Sequence, residues 1–94
     1  MSLCYFEIKI DIPTAHSLKE KRGIIKSLVT RSSQTFNISI AEIEYNDIWQ
    51  TALLGVSIVA NDGKIFESTI NNLVTFIEKK YPQIIISITS KEVL

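Results

Sequence analysis

Cys4, Phe6, Ile8, Ile10 and Ile12 alternate with Tyr5, Glu7, Lys9 and Asp11 at the start of the chain. Period-two alternation of this kind predicts a strand with one wholly apolar face, and Pro13 ends it. The pattern then lengthens. Leu18, Ile25, Leu28, Val29 and Phe36 fall on one stripe at helical spacing, which predicts a helix following the strand. Ser17 and Glu20 stand three apart at its start and predict a capping box, in which side-chain oxygens take up free backbone N–H groups. Gly23 lies inside this helix and weakens it by about 1 kcal/mol relative to alanine.

From Asn37 the residues become β-branched and alternating, NISIAEIEY, and predict a strand that carries Glu42 and Glu44. A turn around Asn46 and Asp47 leads past Trp49 into a third strand, TALLGVSIVA, so the pair reads as a β-hairpin. Asn61-Asp62-Gly63 closes that strand and offers a cap for a second helix. Its stripe is Phe66, Ile70, Leu73, Val74, Ile77 and Tyr81, stopped by Pro82. The isoleucine-rich QIIISITS predicts a fourth strand.

The order is βαββαβ. Two split βαβ units with right-handed crossovers predict a ferredoxin-like α+β sandwich: a four-stranded antiparallel sheet, strand order 4-1-3-2, with both helices on one face. The expected core is Cys4, Phe6, Ile8, Ile10, Val29, Phe36, Val56, Ile58, Ile70 and Ile77. The 94 residues predict a single domain spanning 1–94, with no linker or low-complexity segment.

Charge adds a directional feature. Ten basic residues balance ten acidic ones, so net charge does not draw the molecule to nucleic acid or anionic membranes. Locally the balance fails: Lys19 to Arg31 holds five basic residues and one acid, and Thr35 to Ser68 holds five acids and one lysine. The stretch HSLKEKR, His16 to Arg22, sets cations at a helix start, where the macrodipole disfavours them. Two readings follow. Glu44 and Asp47, returning on the hairpin, neutralise the helix start; or His16, Lys19, Lys21, Arg22 and Lys26 contact an anionic ligand such as phosphate or an RNA backbone. Trp49, the one tryptophan, either packs over the end of the core or makes a stacking contact with a partner.

Catalytic candidates are scarce. Cys4 opens the first strand and His16 follows its far end, so about eight strand residues put them ~25 Å apart, too far for a dyad within one subunit. One cysteine and one histidine make no zinc site, and neither a metal nor another cofactor is expected. An acylphosphatase-like hydrolase, cradling phosphate in the first β–α loop, is the enzymatic alternative, but that loop contains no glycine. The N-terminal segment lacks the apolar stretch of a signal peptide, and no run of apolar residues is long enough to span a membrane, so a cytoplasmic protein is expected. The outward face of the sheet, with Tyr5, Leu53, Val59 and Ile85, and the charge-poor Ile84-Ile85-Ile86 run predict self-association.

Three blocks stand together at a recognisable spacing: SLKEKR over Ser17 to Arg22, NISIAE over Asn37 to Glu42, and Trp49 followed by Ala52, Leu53, Leu54 and Gly55. In these, and over nearly its whole length, the chain resembles the YlxP-like family of small bacterial proteins, a domain of unknown function. The resemblance implies a ferredoxin-like fold and, as in several members, a homodimer. Genes of many members lie near those for translation initiation and ribosome maturation, which implies RNA or a ribosome-associated protein as partner. It brings no catalytic residue. Gly23 stands where many relatives carry a larger side chain.

Overall fold

Burial follows the alternation along the first strand: Cys4, Phe6, Ile8 and Ile10 are completely buried, and the residues between them are partly exposed. A computed structural model describes residues 1–94 as β1 (Ser2–Asp11), α1 (Leu18–Thr35), β2 (Ser39–Glu44), β3 (Thr51–Ala60), α2 (Phe66–Lys80) and β4 (Ile85–Val93). A short 3₁₀ turn, Gly63–Ile65, precedes α2, and the Asp62 side chain caps it by accepting from the Lys64 N–H at 2.9 Å. The sheet order is β2-β3-β1-β4 and every pairing is antiparallel. This is the ferredoxin-like α+β sandwich, with both helices covering the face that carries Phe6, Ile8 and Ile10.

Central β1 aligns Ile8 with Leu54 of β3 and Ile88 of β4. At the sheet's far end Leu3 and Leu94 exchange backbone hydrogen bonds at 3.2 and 2.7 Å. Two bulges interrupt the ladders, one opposite Glu7–Ile8 and one between Glu42 and Glu44. By the strand's alternation Glu42, opposite buried Leu54, points in towards α1 and Ile43 faces outward, 43% exposed; the second bulge sets Glu44 opposite Leu53. On the outer face the Tyr5 ring lies across Gly55, where an added Cβ would come within 2.9 Å of the phenol oxygen. Glycine at this position is therefore a seat for Tyr5.

The core is one cluster of 18 residues. Of the residues expected there, Val29 and Phe36 are only partly buried; they pack against its margin, Phe36 meeting Phe76 edge-on at 5.6 Å. The reason is the rotation of α1. Its buried stripe is Lys21, Ile25, Leu28 and Ser32, and two of those four side chains are polar. The Ser32 hydroxyl is buried with no hydrogen-bond partner.

Gly23 lies on the opposite side of α1, exposed, and a Cβ built on it meets nothing within 4 Å. Neither packing nor backbone geometry asks for glycine there. Replacing Gly23 with alanine should raise stability by about 1 kcal/mol, through helix propensity and a less disordered unfolded chain. In a domain of this size that is a rise of roughly 4–8 °C in melting temperature.

Candidate nucleic-acid interface

One end of the sandwich gathers the residues singled out by their chemistry: the β1–α1 loop, the first half of α1 and the β2–β3 turn. The loop is closed upon itself. Ala15 N–H donates to the Ile12 carbonyl at 3.1 Å, and the Ser17 hydroxyl caps α1 by accepting from Glu20 N–H at 3.1 Å. The Glu20 carboxylate reaches back one residue further than in the usual box, accepting from His16 N–H at 3.2 Å. The helix start is thus already supplied with a negative charge. A phosphate cradle at this loop would meet that carboxylate and would find two of its N–H groups engaged.

Lys21 departs from expectation. The sequence groups it with the surface cations, yet its side chain is completely buried. Its ammonium donates to Glu42 Oε2 at 2.6 Å and to the Tyr45 carbonyl at 2.8 Å. A buried ammonium is tolerable only with such partners, because water no longer solvates it. Lys21 therefore cannot present its charge to a ligand. Its contacts fasten α1 to the end of β2 and to the turn that follows.

Tyr45 begins the turn in the left-handed region, φ 67°, an uncommon conformation for a residue with a side chain. Ile48 N–H closes the turn by donating to the Tyr45 carbonyl at 3.1 Å. That carbonyl therefore serves both Ile48 and Lys21. Gln50 anchors the other side: its carbonyl accepts from Ile12 N–H at 2.8 Å, and its amide donates to the Pro13 and Ala15 carbonyls at 3.2 and 3.4 Å. Between these two anchors stand Ile48 and Trp49, 48% and 47% exposed. Trp49 does not join the core; it is displayed on a turn whose ends are pinned.

The remaining cations stay on the surface. His16, Lys19, Arg22 and Lys26 are all exposed. Arg22 reaches Asp47 at 3.8 Å with both groups well solvated, a weak contact. Lys19 and Lys26 form no ion pair, and neither does Glu44. The helix start is neutralised in part: Glu42 takes Lys21, Asp47 loosely takes Arg22, and the other cations are left free. Nothing in the sequence alone marked Glu42 and the Tyr45 carbonyl as partners of Lys21. The available signal was phase, since Lys21 stands i, i+4, i+7 and i+11 with Ile25, Leu28 and Ser32.

Away from this end, the Tyr5 phenol donates to Glu7 Oε2 at 2.8 Å. That bond raises its pKa above the ordinary phenol value, with burial and the Glu7 charge adding to it. No three of the His, Cys, Asp and Glu side chains converge as a metal site would require. No helix is long and apolar enough to cross a membrane.

Residues 3–90 match the model of a family described as proteins of unknown function, DUF503. The chain belongs to the DUF503 family. The uncharacterised protein YlxP of Bacillus subtilis (strain 168) is 36% identical over 88 residues, covering 94% of this chain and 95% of that protein. Among solved structures, the de novo designed protein Foldit4 superposes with a TM-score of 0.53 at 17% identity, covering 98% of this chain and 97% of its own. That likeness concerns the fold alone. Membership of DUF503 carries no activity with it.

Proposed function

We propose that this DUF503 protein is a non-enzymatic binding module that contacts single-stranded RNA through the end of the sandwich built by α1 and the β2–β3 turn. The observation that supports this reading is Trp49, half-exposed on a turn pinned at both ends, beside surface cations of which two lack any counter-charge. Proteins that hold single strands combine such cations with an aromatic face on which a base stacks. A duplex offers no unstacked base, so the splayed bases of a single strand fit better. The phosphate-directed hydrolase is less favoured, because Glu20 occupies the helix start and the loop N–H groups are used internally.

Trp49 is the only tryptophan, so its fluorescence reports on the site directly. Titration with a single-stranded RNA of about twelve nucleotides should quench that emission and should weaken steeply as salt rises. Unchanged emission together with no retention of the RNA at low salt sinks the proposal.

Self-association is proposed alongside it. Ile85, Ile88 and Val93 on the β4 edge are 58%, 44% and 55% exposed, and Val59 on the outer face is 59% exposed. Edges of that length are usually blunted by charge; here Lys91 is tied to Glu67 of α2, which leaves Glu92 as the one unpaired charge on β4. Sedimentation at micromolar concentration should show a dimer, and a monomer throughout that range refutes this part.

A further inference from the structure

Two shallow clefts lie along the solvent side of α1, one of about 540 Å³ and one of about 420 Å³, sharing Gly23 and Ser27. The smaller is bounded by Gly23, Lys26, Ser27, Thr30, Arg31 and Gln34. None of these is acidic and none is apolar. The larger reaches Lys19 and has Glu20 as its one acid, whose carboxylate is turned to the His16 N–H.

The molecule's three ion pairs are Lys21–Glu42, Arg22–Asp47 and Lys91–Glu67, so Lys19, Lys26 and Arg31 stand without counter-charges. In a chain of zero net charge, this makes one helix face positive and leaves it unanswered. The Thr30 hydroxyl and Gln34 amide lie between the cations, while the Ser27 hydroxyl is hydrogen-bonded to that of Tyr81 at 2.7 Å. Threonine and glutamine are side chains that, with lysine and arginine, bond phosphate and sugar oxygens. Gly23 adds room, since the space its Cβ would fill is empty out to 4 Å.

We propose that this face of α1 is a track for the sugar–phosphate backbone of single-stranded RNA, running from Lys19 through Lys26 to Arg31. The proposal rests on the reading above and extends it: the strand whose base stacks at Trp49 continues along the helix for about 18 Å, twelve residues at 1.5 Å each. Arg31 is its far contact. Charge complementarity selects the occupant. An acidic peptide would satisfy the cations but would leave the stacking surface at Trp49 unused.

The test compares wild type with Arg31→Glu on single-stranded RNAs of about three and about twelve nucleotides, the shorter unable to reach from Trp49 to Arg31 and the longer able to span the whole track. Wild type should bind the longer strand at least tenfold more tightly. Arg31→Glu should abolish that advantage, leave the short strand's affinity within about twofold, and leave the melting temperature unchanged, because Arg31 is exposed and has no ion pair. If wild type binds RNA and Arg31→Glu binds the longer strand equally well, the track is overturned and the contact at the sandwich end stands. If wild type binds neither strand, both readings fall. Preference for an acidic peptide over either RNA also overturns the assignment.

Discussion

Replacing Lys21 with alanine is expected to destabilise the protein by about 3 kcal/mol, the lower end of what breaking a buried ion pair costs. The lower end applies because Glu42 keeps one-fifth of its side chain accessible and can recover some hydration after losing its partner. The Tyr45 carbonyl loses a donor as well, but Ile48 N–H continues to serve it. Small domains have about 5–15 kcal/mol in total, so this one change removes a large share. Pairing Lys21→Met with Glu42→Leu should recover most of the loss, since apolar residues of similar volume replace a buried ion pair at little or no penalty. Urea unfolding of wild type, single and double variants measures all three, at similar m-values. An alanine variant as stable as wild type would mean that Lys21 gains nothing from Glu42.

The alanine variant at Lys19, Arg22 and Lys26 should behave in the opposite way. Lys19 and Lys26 have no ion partner, and Arg22 has only a solvated contact to Asp47 at 3.8 Å. Solvated pairs contribute little, so the melting temperature should move by no more than a few degrees. RNA affinity should fall. Each lost phosphate contact on a single strand lowers the slope of log K against log salt by about 0.7, so all three remove about 2 units. Measuring melting and the salt slope on the same preparation separates the alternatives. A large fall in melting temperature with an unchanged slope would show that the cations serve the fold.

Period-two and period-3.6 patterning made the architecture legible because each element has one apolar face and the chain alternates strand and helix in a short order. The cap at Ser17 and the strand order followed from local chemistry and crossover handedness. The rotation of α1 did not. Leu18 and Val29 look like better core residues than Lys21 and Ser32, but the helix packs beside an edge strand whose alternation points Glu42, like Ile40, inward. That carboxylate makes a lysine the right residue for a buried position. The phase of Lys21 with Ile25, Leu28 and Ser32 points to its burial, but the identity of its partner on another element leaves no trace in sequence spacing. The same limit applied to the site: residue type pointed to the basic stretch, and only the fold shows which cations are spent and which are free. The sequence leaves Trp49 between packing over the core end and a stacking contact, because its display depends on Gln50 reaching the Pro13 and Ala15 carbonyls, a contact across more than thirty positions.

Leu3 and Leu94 hold each other by a reciprocal pair of backbone bonds, which makes the fold nearly a closed ring. The seam of that ring lies at the other end of β1 from the Trp49 turn, about 30 Å away along ten strand residues. A short bridge across the seam would join the ends without bending the sheet, and new ends opened at Asn61–Gly63 would yield a circular permutant with every strand pairing intact. For the same reason, a handle attached at either terminus would hold the protein by the seam and leave the turn and the positive face of α1 pointing freely into solution.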